Sequence, residues 1–229
     1  MDALVGEVCS RLKPEDVLMV ISDHGFAQFQ WGVNLNTWLH REGYLVLKEG
    51  APLGGLWLKD VDWSRTKAYA HGLAGIFINL AGRERQGIVK RGEERERLQA
   101  ELREKLESLR DENNERNPIR RILAAREHLS GPYVDDAPDL IVGYSRGYRV
   151  SWNSAVGKIT DAVIEENTKG WSGDHSIDPI LVPGVFFSNR RFEDRRPAME
   201  DLAPTILSLY GLARPPHQDG KILSLSPVS

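Results

Sequence analysis

Blocks of hydrophobic and polar residues follow one another along the chain at spacings that predict alternating helices and short strands. Apolar residues at helical spacing predict a helix over 2–12. Five consecutive apolar residues at 17–21 predict a strand that is buried on both faces, as in a parallel sheet. A second helix is predicted over 33–41, with Gly43 at its C-terminal end.

The rest of the chain carries further strand patterns and two clear helices. Strands are predicted at 44–47, 67–70, 76–80, 138–144 and 184–188, and a helix over 201–211. Charged residues surround a narrow apolar stripe at 93–111, which predicts a helix. That helix either binds a partner or lies on the sheet with its charged side in water. The last residues, 224–229, are expected to fray.

Composition narrows the class of protein. The chain has 229 residues, of which 41% are hydrophobic and 28% are charged, and these values exclude wholesale disorder. A net charge of −3 gives no indication of nucleic-acid binding. No apolar run is long enough to cross a membrane, and no export signal is visible. With only one cysteine, Cys9, the sequence predicts a cytoplasmic protein without disulfides.

A carboxylate and an imidazole follow the predicted buried strand directly. Asp23 and His24 precede Gly25, which lets the backbone turn so that both side chains can converge on one cation. Oxygen together with imidazole nitrogen suits Zn²⁺ or a similar transition ion. The alternative is a capping aspartate beside a histidine that is satisfied within the core.

A second polar cluster lies in the glycine-containing loop 171–179. His175 in this loop precedes the apolar segment 182–187 and can reach over the end of a sheet. It is either a ligand at the same sheet edge or a loop histidine held in a network of turns.

Together these segments resemble one family. The order and spacing of Ile21–Phe26, Ser172–His175 and 201–207 resemble the alkaline phosphatase superfamily, and in particular its type I phosphodiesterase/nucleotide pyrophosphatase branch. The closest resemblance within that branch is to proteins described as superfamily phosphohydrolases or phosphomutases. Segments 34–39, 61–69, 131–133 and 219–221 resemble the same branch, so the resemblance covers essentially the whole chain.

The resemblance implies a three-layer α/β/α sandwich with a mainly parallel sheet, in which the strand at 17–21 is central. It also implies two divalent metal ions, commonly zinc and alternatively manganese, at the carboxyl edge of the sheet. Asp23 and His24 would bind the metal that holds the nucleophile, and His175 would bind the second metal. The implied substrate is a small phosphate ester. Residues 1–44 and 131–229 would form the core, and 45–130 a cap-like insertion with antiparallel strands and the charged helix.

The chain departs from the family pattern at its N-terminal end. The Thr or Ser nucleophile and several further ligands of the family precede the Asp-His-Gly motif, and no match for them lies ahead of Asp23. The chain is therefore expected to be a C-terminal half with an incomplete metal site. It is either part of a phosphohydrolase, with phosphomutase chemistry as a variant, or a non-catalytic remnant. An exposed sheet edge in such a half would favour self-association.

Overall fold

The computed structural model of the protein describes residues 1–194 and 196–225. Six helices and ten strands occur within these ranges. In chain order they are α1 Asp2–Cys9, β1 Met19–Ile21, β2 Ala27–Val33, α2 Leu35–Arg41, β3 Ala68–His71, β4 Gly75–Ile78, α3 Glu93–Glu107, β5 Ile119–Ala124, α4 Ala125–His128, β6 Leu140–Tyr144, β7 Gly147–Val150, α5 Trp152–Ala155, β8 Ile164–Glu166, β9 Gly173–Asp174, β10 Phe186–Ser188 and α6 Leu202–Leu209.

The chain forms two compact units. Unit 1 contains both ends of the chain, residues 1–25 and 183–229, and unit 2 contains residues 26–182. Unit 1 includes α1, α6 and a two-stranded antiparallel sheet in which β1 pairs with β10. Ile21 of β1 and Phe187 of β10 are exposed on this small sheet.

Unit 2 contains two sheets of four strands each. In one sheet β2 pairs with β7 in parallel and with β8 and β9 in antiparallel orientation. The other sheet has the order β3-β4-β6-β5, and all its pairings are antiparallel. The fold is therefore mixed α/β. Among the strands of the described residues, only β2 and β7 pair in parallel.

The main hydrophobic core lies within unit 2. Its buried residues run from Val33 to Val182 and include the three leucines on the inner face of α3, Leu98, Leu102 and Leu106. A buried carboxylate holds α3 to the sheet: Asp139 accepts hydrogen bonds from Arg83, from Arg95 of α3 and from the N–H of Ile78, each at 2.7 Å. The charged helix of the sequence analysis thus lies against β5 with its leucine stripe inward.

Several elements differ from the sequence-based expectations. The predicted strand at 44–47 was wrong, since only an isolated bridge between Leu47 and Val61 forms there. Val33 ends β2 and does not begin α2. The strand expected at 17–21 is limited to Met19–Ile21, is partly exposed and pairs in antiparallel orientation. A mainly parallel sheet is not found among the described strands.

Of the tail that was expected to fray, residues 226–229 lie outside the described residues. No helix in the described part of the chain has both the length and the apolar character needed to cross a membrane.

Candidate functional site

Asp23 and His24 lie in the turn that follows β1 in unit 1. The Asp23 carboxylate accepts a hydrogen bond from the His24 N–H at 3.1 Å. The backbone of His24 also forms an isolated antiparallel bridge with Pro183. The turn is thus fixed beside the segment that leads into β10, at the end of β1 where the sequence had placed it.

The imidazole of His24 is oriented by the backbone of the next residue. Its Nδ1 lies 2.9 Å from the carbonyl oxygen of Gly25. Because a carbonyl oxygen only accepts hydrogen bonds, Nδ1 carries the proton of the neutral ring and Nε2 is the basic nitrogen. Nε2 is 3.5 Å from Oδ2 of Asp23. Histidines that bind metals commonly donate their other N–H to a carbonyl in this way.

A glycine makes room for this turn. A Cβ atom at Gly184 would lie 2.2 Å from the carbonyl oxygen of Ser22, far inside van der Waals contact. Two hydrogen bonds join the same segments: Ser22 N–H donates to the Val185 carbonyl and Val185 N–H donates to the Ser22 hydroxyl, both at 3.0 Å. The backbone beside Asp23 is therefore packed closely against the start of β10.

His175 lies in unit 2, directly after β9. Oδ1 of Asp174 accepts hydrogen bonds from the N–H groups of His175 at 2.7 Å and Ser176 at 3.0 Å. The His175 ring packs edge-on against Phe26 with ring centres 5.8 Å apart. Its Nδ1 is 3.5 Å from Oδ1 of Asp174. The buried carboxylate of Asp174 therefore organises the turn that presents His175.

Arg149 supports that carboxylate, and the sequence analysis missed it. Nε of Arg149 is 3.0 Å from Oδ2 of Asp174, and the guanidinium lies between the rings of Phe29 and Trp152, at 5.1 and 4.3 Å from their centres. Burial alone would raise the pKa of the Asp174 carboxyl, but hydrogen bonds from Ser176 and His175 together with the charge of Arg149 lower it. An arginine within an apolar strand, between Tyr148 and Val150, was the available signal.

The donor types fit a transition metal, but the number of donors is small. Asp23 and His24 offer one carboxylate and one basic imidazole nitrogen in unit 1, and His175 offers a second imidazole in unit 2. Throughout the described residues, no three His, Cys, Asp or Glu side chains are grouped closely enough to hold a metal ion. The pair in unit 1 is thus suited to be part of a metal site.

A sequence profile of the type I phosphodiesterase / nucleotide pyrophosphatase family matches residues 1–178. The chain belongs to this family, whose activity is hydrolysis of phosphoester bonds, and the resemblance to this family noted in the sequence is confirmed over residues 1–178. Comparisons with curated proteins and with solved structures gave no match.

Proposed function

We propose that the chain is the metal-binding part of a hydrolase that acts on small phosphate mono- or diesters. The orientation of His24 supports this proposal best. Its proton is directed to the carbonyl of Gly25, so its basic nitrogen and the Asp23 carboxylate can face one cation. The Asp23 side chain is 70% exposed, which leaves it accessible to an ion from solvent.

The proposed sites take two divalent ions, zinc in the first place and manganese as the alternative. Asp23 and His24 would hold one ion and His175 the other. Bound ions of this kind polarise a phosphoryl oxygen and stabilise the charge that develops on the attacking and leaving oxygens. Within this chain, Gly25 orients His24, and Asp174 with Arg149 orients the turn that carries His175.

Several finer points stay predictions. The Thr or Ser nucleophile is proposed to come from a segment that precedes the Asp-His-Gly motif, and the same segment would complete a three-layer, mainly parallel sandwich. Two further predictions rest on the sequence. One is the division into a core of 1–44 and 131–229 with an insertion of 45–130. The other is a cytoplasmic location. A phosphomutase reaction is a variant of the proposed hydrolysis. A non-catalytic remnant is the competing proposal.

Zinc binding tests the site in unit 1. Equilibrium dialysis of the whole chain with zinc should give weak binding, because two protein ligands leave the remaining positions to water. His24→Gln should weaken that binding by about tenfold or more. His217→Gln is the matched control, since His217 is exposed and lies in the same unit. Equal zinc affinity in the His24 variant and the parent chain would contradict the proposed ligand.

Hydrolysis tests the reaction. The isolated chain with zinc or manganese should leave p-nitrophenyl phosphate and bis-p-nitrophenyl phosphate intact, and joining it to an upstream segment with an Asp and a Thr or Ser should restore cleavage. Cleavage by the isolated chain, abolished by His24→Gln, would show that a nucleophile is present in it. No cleavage with the upstream segment would favour the non-catalytic remnant.

A further inference from the structure

A small pocket lies in unit 2 beside the arginine that supports the His175 turn. Its volume is about 260 Å³, and its walls come from β2, β7, the start of α5, β8 and the loop that follows β8. That volume is below the roughly 300–1,000 Å³ of sites that take drug-sized ligands. It suits a ligand with a single ring.

The floor of the pocket is built around a glycine and a fixed carboxylate. Oε1 of Glu165 accepts hydrogen bonds from the Ser151 hydroxyl at 2.7 Å and from the Asn153 amide at 3.2 Å. A Cβ atom at Gly32 would lie 3.3 Å from the Cβ of Ser151 and 3.5 Å from Cγ of Glu165. The missing side chain at Gly32 thus lets Ser151 and Glu165 lie side by side, and their hydrogen bond holds the carboxylate in one orientation.

One wall of the pocket is the indole of Trp152, which packs on the buried guanidinium of Arg149. The side chain of Arg149 is 2% exposed, whereas Trp152, stacked on it, is 48% exposed. Nη2 of Arg149 has no hydrogen-bond partner among the residues that the structure describes. Contact with the guanidinium holds the indole in place while much of its surface stays open to a ligand.

The pocket contains side chains of both charges. Glu165, Glu166 and Lys169 line it together with Arg149, whose charge is already paired with Asp174, and the amide of Asn167 adds both a donor and an acceptor. A strongly anionic ligand would meet two carboxylates, and an apolar ligand would leave these polar groups without partners. A neutral ligand with several hydroxyl groups satisfies both carboxylates and amides, and its C–H groups can pack on the indole.

We propose that this pocket binds a neutral polyhydroxylated ring, a monosaccharide or a cyclic polyol. If the proposed phosphoester hydrolase function holds, this ring is the alcohol part of the substrate. The connection to the candidate site is direct: Arg149 lines the pocket and pairs with Asp174, the residue before His175. The same guanidinium therefore contacts both the wall of the pocket and the turn that carries a proposed metal ligand.

Ligand-observed NMR and calorimetry on the metal-free whole chain test the proposal with D-glucose and myo-inositol at millimolar concentrations. At least one ring should bind. Trp152→Ala and Glu165→Gln should each lower the association constant by about tenfold or more, whereas Trp152→Phe, which keeps an aromatic wall, should retain most of the binding. Trp57→Ala and Glu93→Gln are matched controls on exposed side chains and should bind as the parent does.

Three results would overturn the proposal: no binding of either ring, binding that Trp152→Ala leaves unchanged, or preference for adenosine or phenol over the sugars at the same wall. Circular dichroism of each variant separates loss of binding from loss of folding, and Trp152→Phe keeps the test valid if Trp152→Ala does not fold. Because the probes carry no phosphate and need no metal, failure here leaves the zinc and hydrolysis tests of the proposed function unaffected.

Discussion

Gly184 shows how a single missing side chain can position a candidate ligand. The carbonyl oxygen of Ser22 occupies the space that a Cβ at this position would need, at 2.2 Å. Because that oxygen belongs to the backbone next to Asp23, it can move only by shifting the turn. The close packing at Gly184 is therefore part of the fold of unit 1 and also holds the turn that carries Asp23 and His24.

Gly184→Ala should consequently destabilise the protein, by roughly 1–3 kcal/mol, as expected for overpacking against backbone. Urea unfolding followed by circular dichroism measures the change. Gly6→Ala in α1 is the control, since nothing lies within 4 Å of its added Cβ and alanine favours a helix. A Gly184→Ala protein as stable as the parent would mean that the two segments can separate without cost.

Asp139 offers a second test at the level of one residue. It is fully buried and carries ion pairs to Arg83 and Arg95, which are 13% and 14% exposed. Asp139→Asn leaves Arg95 without its carboxylate partner and Arg83 with Glu84 alone, so we expect a loss of about 3 kcal/mol in unfolding free energy. The control is Glu93→Gln, which removes an ion pair that is almost fully exposed and should cost well under 1 kcal/mol.

At the level of the elements, an aspartate at the start of α6 accepts hydrogen bonds from residues outside the helix. Oδ2 of Asp201 accepts from the N–H of Ala198, and Oδ1 accepts from the N–H of Lys221, both at 2.9 Å. The sequence predicted that a helix begins at Asp201, and this residue is the N-cap of α6. Its carboxylate also joins the turn before α6 to the segment that contains Lys221.

These contacts predict a pH dependence. The N–H of Ala198 lowers the pKa of Asp201 below the ordinary carboxyl value, against the opposing effect of burial. A lowered pKa in the folded state means that the contribution of Asp201 is complete above the unfolded-state pKa of about 4 and is lost as the pH falls through the folded-state pKa. Asp201→Asn should therefore be less stable than the parent by about 1 kcal/mol at neutral pH. The difference should shrink at pH 3, as measured by urea unfolding at both values; a constant difference would contradict the assignment.

Local patterns predicted some elements well. The apolar stripe at 93–111 predicted α3, and the apolar segments at 67–70 and 76–80 predicted β3 and β4, because each signal lies within a few neighbouring residues. β2 was missed although its apolar residues alternate with polar ones. β7 was missed because Arg149 interrupts its apolar pattern.

In the candidate site, too, only the residues with a local sequence signal were predicted. Asp23 and His24 were predicted because a motif places them next to each other after a strand. The support of His175 by Arg149 was not predicted, since it depends on two strands, β7 and β9, that both pair with β2. Contacts between distant parts of the chain leave no local spacing that a sequence pattern can show.

On the scale of the whole molecule, the two units differ in how much apolar surface they bury. The main core lies entirely in residues 26–182. In unit 1, α1 has no buried residue, and the β1–β10 sheet consists of two strands with exposed Ile21 and Phe187. Unpaired strand edges with apolar side chains favour association with another chain.

We therefore expect the whole chain to self-associate, while a chain limited to residues 26–182 stays monomeric. Light scattering coupled to size-exclusion chromatography measures both masses. Phe187→Lys in the whole chain should reduce association, because a charge on a strand at the sheet edge opposes pairing. A whole chain that is monomeric at high concentration would show that the small sheet needs no partner.

The division of unit 1 between the two ends of the chain also determines the order in which its parts become available during synthesis. The N–H of Leu18, the residue before β1, donates a hydrogen bond to Asn189, which is 171 residues further along. At about 5–20 residues per second, the ribosome needs roughly ten to thirty seconds to cover that distance. Unit 2 is complete before Asn189 emerges, so the growing chain carries β1 and the Asp23–His24 turn without their partner strand throughout this interval. In a nascent chain of this protein, β1 can therefore pair only after the segment that contains β10 has been synthesised.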